Sequence, residues 1–134
     1  MAEQKDELQQ LVALYQVLHA HVEQIRQQLA ALQKGFADVE ATKQAVEALG
    51  KQPGAELLIP LGSGIFTHGA AATKQMLIDV GAGVVVEKAP AEILELTEKK
   101  KGELEKMFSQ LQMEEAQAAH QLNEIAQQIQ QMSG

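Results

Sequence analysis

A strict three-four alternation of apolar residues runs through the first third of the chain. One heptad position carries Leu8, Tyr15, Val22, Leu29, Phe36 and Lys43, and the other carries Leu11, Leu18, Ile25, Leu32, Val39 and Val46. Eleven of these twelve are apolar. A seam sustained for six heptads demands a partner helix along its whole length, which describes a coiled coil rather than a generic amphipathic helix. Gln, Glu, Arg and Ala fill the intervening positions and suit an exposed helical face. A helix from Leu8 to Leu49 would be roughly 60 Å long at 1.5 Å per residue. The polar residues before Leu8 are expected to fray, and Gly50 with Pro53-Gly54 supplies the stop.

A second seam occupies the last third: Leu94, Thr97, Lys101, Leu104, Phe108, Leu111, Glu115, Ala118, Leu122, Ile125, Ile129 and Met132, nine of twelve apolar. Pro90 at a first helical position and Glu92 beside the positive helix end mark its start. The low-area run from Glu114 to Ala119 is expected to pack least well. Folding the chain back on itself pairs the two seams at the smallest closure cost, giving an antiparallel coil with both termini at its free end.

Between the seams, Ala55–Ala89 changes period. Apolar runs are punctuated by Gly62-Ser63-Gly64 and Gly81-Ala82-Gly83, the pattern of two β-hairpins in series. Pro60 cannot donate to a ladder, so the first strand is expected to end there or to lie at an edge. Met76, Ile78 and Val80 share one strand face, and Val84 and Val86 share a face of the next. Isolated apolar hairpins are marginal in water and present open edges. Leu58, Ile59, Ile65, Phe66, Met76, Ile78, Val80, Val84 and Val86 are therefore the expected surface that other subunits cover. The reading is α+β: one domain over 1–134, with a helix over 1–52, two hairpins over 53–90 and a helix over 91–134.

A net charge of −7 argues against nucleic acid as a partner, which requires a basic patch. The run Lys99-Lys100-Lys101 is flanked by Glu95, Glu98, Glu103 and Glu105 and reads as a solvated helix face. With no cysteine, thiolate chemistry and sulfur metal sites are excluded. No apolar run approaches membrane-spanning length, and a cytoplasmic location is expected. Neither glycine pair continues into the third glycine and helix of a dinucleotide site, and no phosphate-loop motif is present, so no cofactor is expected. His19, His21, His68 and His120 read as surface residues, not metal ligands. Ser63, Ser109 and Ser133 lack a base and acid arranged around them, and no catalytic constellation emerges.

At the free end, fraying would uncover seam residues beside off-seam apolar ones. Leu8, Leu11, Val12, Tyr15, Val17, Leu122, Ile125, Ile129 and Met132 form the candidate capture surface there. Met107 and Met113 add exposed, adaptable side chains further along.

Helix, paired hairpins and helix, with PLGSGIF at 60–66 and DVGAGVVVEK at 79–88, resemble the alpha-class subunit of prefoldin of the archaeal type. Two hairpins instead of one point to the alpha class over the beta class. The resemblance implies a hexamer of two alpha and four beta subunits whose hairpins join into a β-barrel platform. It further implies ATP-independent capture of non-native proteins at the coil tips and delivery to a group II chaperonin. The rival reading is a structural tether or adaptor, oligomerised through its hairpins and holding one folded partner.

Overall fold

The computed structural model describes residues 2–71 and 74–133. Its element order is α1 (Ala2–Lys51), β1 (Glu56–Gly62), β2 (Ile65–Ala70), β3 (Met76–Gly81), β4 (Val84–Lys88) and α2 (Pro90–Ser133). The middle of the small-residue connection between the hairpins, Ala72 and Thr73, lies outside the described residues. Contacts divide the chain into a terminal unit, Met1–Gly35 with Leu104–Gly134, and a central unit, Phe36–Glu103.

In the terminal unit the two helices run antiparallel: Arg26 meets Glu115, and Gly35 faces Leu104. Its core is Val22, Ile25 and Ala118, with Leu29, Leu111 and Leu122 packed around them. The first seam is buried or half-buried at all twelve positions, and the second at every position but Met132. The weak run of α2 is not the loosest part. Ala118 within it is only 6% exposed and sits in the best-buried cluster. A small residue facing large ones is how interdigitating layers fill space, so low side-chain area did not mean poor packing. Glu115 stands at a seam position with its carboxylate accepting from Arg26 Nε at 3.3 Å, while Arg26 also reaches Glu23 at 3.3 Å. A polar seam residue paired across the coil favours one register over its slipped alternatives.

In the central unit the helix segments pair in the same sense. Lys43 Nζ lies 3.3 Å from Glu98, and a Cβ on Gly50 would touch Pro90. The hydrogen bond and charge of Glu98 hold the Lys43 ammonium above its ordinary range. A raised lysine pKa stabilises the fold at every pH below the ordinary lysine value and loses that contribution only as pH rises through the folded value. Lys43→Gln is therefore expected to lower the thermal midpoint at pH 7, with the difference shrinking in strongly alkaline buffer, as read by circular dichroism.

Local chemistry sets the helix boundaries. Helix α1 starts at Ala2, because polar residues of good helical propensity extend it beyond the seam. It continues through Gly50 to Lys51. Gln52 N–H still reaches the Ala48 carbonyl at 3.2 Å, and Gly54 at φ +85° turns the chain away. Helix α2 begins at Pro90, with Ala89 supplying the carbonyl for both Glu92 and Ile93. Ile93 is buried off the expected stripe, and Thr97 is buried with its hydroxyl donating to the Ile93 carbonyl at 2.8 Å. That bond satisfies a polar group the seam would otherwise leave unpaired.

The strands form two separate antiparallel pairs among the described residues, β1 with β2 and β3 with β4. Of the two placements expected for Pro60, the edge is the one observed: strand β1 runs through it to Gly62, as a two-stranded ribbon permits because every strand is an edge. The two turns share one conformation. Gly62 pairs with Ile65 and Gly81 with Val84, leaving two-residue loops in which Ser63, Gly64, Ala82 and Gly83 all have positive φ. This is the type I′ turn, whose twist matches that of the strands. A bulge precedes each, and in the second ribbon Asp79 Oδ1 accepts from Gly81 N–H at 2.8 Å. Ala82, at φ +53°, has no polar side chain to ease the left-handed conformation. Ala82→Asn is expected to stabilise the ribbon by about 1 kcal/mol, raising the thermal midpoint of the assembled protein.

Candidate functional site

Two surfaces stand out, one in each unit. The first is the pair of ribbons. Pairing of Leu57 with Gly69 and Ile59 with Thr67 puts these four and Ile65 on one face of the first ribbon. Leu58, Pro60, Phe66 and His68 fall on the other. Ile59 and Ile65 are exposed on the first face, and Leu58 and Phe66 on the second. Gly69 makes room for Ile59, whose Cδ1 would lie 2.6 Å from an added Cβ. The second ribbon has Met76, Ile78, Val84 and Val86 on one face and Leu77, Asp79, Val85 and Glu87 on the other.

The expected interface residues Leu58, Ile59, Ile65, Phe66, Val80 and Val84 are all exposed, and Met76, Ile78 and Val86 are half-buried. Three further exposed apolar residues belong to the same surface: Leu61, Leu77 and Val85. Leu77, 69% exposed, and Val85 occupy the face opposite Ile78, beside Asp79 and Glu87, so each ribbon carries exposed apolar side chains on both sides. The signal was the absence of a polar alternation in LLIPL and VVV. A strand flanked by solvent on one side alternates apolar with polar residues, and continuous apolar runs mark strands covered on both. At about 25 cal/mol per Å², each of these side chains stands to contribute roughly 1–2 kcal/mol once covered. Polar groups are few here. His68 Nδ1 and Glu56 lie 2.6 Å apart, both well exposed.

The second surface is the end of the terminal unit. Leu8, Leu11, Tyr15, Leu122, Ile125 and Ile129 are half-buried in the seam, while Val12, Val17 and Met132 are exposed. Leu122 leans on the Val22–Ile25–Ala118 core, and Tyr15 stacks on His19 with ring centroids 6.0 Å apart. Leu14 was not anticipated. It is exposed and joins Leu11 and Met132 in a groove rimmed by Glu7, Gln10, Gln128 and Gln131. Met107 and Met113 are exposed, as their off-seam positions imply. Substituting exposed Val17 by Ser is expected to leave the unfolding free energy within about 0.5 kcal/mol of the parent, as read by denaturant titration, because the side chain has little native burial to lose.

The remaining polar constellations are local. His120 pairs with Glu124 at 3.0 Å one turn on, on an exposed helix face. Among the described residues no group of three or more His, Cys, Asp or Glu side chains converges on a common point, and no helix is long and apolar enough to cross a membrane.

Heptad helices bracketing twin type I′ ribbons, with apolar surface left open, define a subunit of a coiled-coil and hairpin assembly. The family model for prefoldin subunits matches residues 18–134, and the chain belongs to the prefoldin family, a family of chaperones. Its relatives include the prefoldin subunit alpha of Pyrococcus horikoshii, 30% identical over 98% of this chain and 91% of that one. The prefoldin subunit alpha of Archaeoglobus fulgidus is 30% identical over 90% and 92% of the two chains. The prefoldin subunit alpha 1 of Thermococcus kodakarensis is 34% identical over 75% and 70%. A cryo-EM structure of filamentous PFD from Methanocaldococcus jannaschii shares the fold, with a TM-score of 0.70 over 90% of this chain and 98% of that one at 17% identity.

Proposed function

We propose that this chain is the alpha-class subunit of a cytoplasmic holdase: it assembles through its ribbons and captures non-native proteins at the ends of its coil. The observation that carries the reading is the exposed apolar side chains on both faces of both ribbons, within a chain of the prefoldin family. Ribbons of this kind are incomplete sheets, and strands from other subunits complete them. Two alpha and four beta-class chains joined in a β-barrel are the proposed assembly, with transfer of clients to a group II chaperonin as the following step.

Capture needs no nucleotide in this scheme. Both glycine pairs are spent on left-handed turn positions rather than on a phosphate-binding loop that opens a helix. The exposed apolar residues at the coil end are individually weak ligands, and several arms acting together supply avidity.

Co-expression with a beta-class subunit, followed by native mass measurement and aggregation assays on several unrelated denatured proteins without nucleotide, tests the reading. The expected result is a hexamer of two and four chains that protects all of the clients. A complex that binds a single folded partner and protects none would instead establish the adaptor.

A further inference from the structure

The two flanks of the terminal helix pair differ in chemistry. On α1, the residues just before seam positions Leu8, Tyr15, Val22 and Leu29 are Glu7, Leu14, His21 and Gln28; on α2, Met107, Glu114, Gln121 and Gln128 occupy the equivalent places. In an antiparallel coil these two rows share one flank. Two grooves lie on it. One has Leu11, Leu14 and Met132 in its floor, and the other has Leu32, Met107 and Leu111. Each is rimmed by glutamines and a glutamate: Gln128 and Glu7 in the first, Gln28, Gln110 and Glu114 in the second.

The charge on this flank has one sign. Glu3, Glu7, Glu114 and Glu124 fall on it by heptad position. The four basic residues of the unit, Lys5, Arg26, Lys34 and Lys106, fall on the opposite flank or the back. Arg26 is in addition engaged by Glu23 and Glu115.

Resting on the chaperone reading, we propose that this flank is the client track, and that its occupant is an extended segment combining apolar side chains with Lys or Arg. Leu14, Val17 and Met107 offer apolar contact. The glutamine amides both donate and accept, so they can satisfy the unpaired backbone N–H and C=O groups of an extended strand. The glutamates favour cationic side chains and disfavour acidic ones. Leu14 and Leu32 are separated by roughly 27 Å of helix, a distance that about eight extended residues span. One segment therefore reaches both grooves, which distinguishes a lateral track from capture at the coil end alone.

The test is site-specific photo-crosslinking in the complex assembled with beta-class subunits, which reads the alpha arms alone. Benzoylphenylalanine is placed at Gln28 or Gln110 on the track, or at Gln33 or Gln112 on the opposite flank; all four residues are exposed. The probes are three labelled fifteen-residue peptides with the same apolar residues and Lys, Gln or Glu at every other position. Track positions are expected to crosslink the Lys peptide about tenfold more than the Glu peptide at low salt, with the difference shrinking in 0.5 M salt. Opposite-flank positions are expected to give little product with any peptide. Equal yields from the two flanks, or from the Lys and Glu peptides, overturn the track. If that happens while the complex still protects denatured proteins, the chaperone reading stands and only the track falls. If no peptide crosslinks and no protection is seen, both fall.

Discussion

Replacing Ile78 and Val84 together with Asp is expected to abolish the large assembly and leave the helical content intact. The two residues share a ribbon face with Met76 and Val86. Val84 is exposed in the isolated chain and Ile78 half-buried. Covering that face with another subunit would strip two carboxylates of water, at a cost of several kcal/mol each without partners. Losing the apolar burial adds roughly 1–2 kcal/mol per residue. The sum exceeds what an interface of this kind can spare, so light scattering should report small species while circular dichroism retains the helix signal. Because Ile78 also packs within its own chain, Leu58→Asp with Phe66→Asp provides an independent case on two exposed residues of the first ribbon. Intact oligomers in both double variants would exclude a ribbon-mediated platform.

The second large effect is expected at the other surface. Deleting residues 1–12 together with 124–134 should leave the assembled mass unchanged apart from the missing residues and remove protection of denatured clients. The deletion takes away Leu8, Leu11 and Met132, which lie together at the coil end, along with exposed Val12, and spares the Val22–Ile25–Ala118 core. Each lost contact is worth roughly 1–2 kcal/mol to a bound segment. Repeated over several arms, such a loss lowers avidity by orders of magnitude. A truncated complex that suppresses aggregation at the same molar ratio would move capture away from the coil end, and the lateral grooves would then carry it.

The two helices and two ribbons were legible because their periods are unmixed. Twelve heptad positions in α1 gave a seam that is covered throughout, and the paired glycine turns marked where each ribbon reverses. The misses share a physical cause: composition is a poor guide where geometry decides. Ala118 looked like a weak point because it contributes little area, yet facing Val22 and Ile25 it completes the core. Ile93 lay outside the second stripe and is buried all the same. Cross-coil partners such as Arg26 with Glu115 and Lys43 with Glu98 need the register in three dimensions before they can be matched. Leu14 was hidden for a related reason, since a flank residue becomes a groove wall only once the opposing helix is in place.

The ribbons also set an order of events. Their contacts join residues close in sequence, whereas Gly35 meets Leu104 across a far longer stretch, and Leu11 meets Met132 across nearly the whole chain. Closing a loop costs more entropy as it lengthens, so turns come early and the outermost helix contacts come last. On a chain emerging from the ribosome, α1 waits without its mate until α2 has been made, with its seam open to solvent. The turn of the second ribbon is made just before α2 begins. A change that slows that turn, such as Gly83→Val at a φ of +75°, would lengthen the wait and send newborn chains toward aggregation even where the finished subunit is stable.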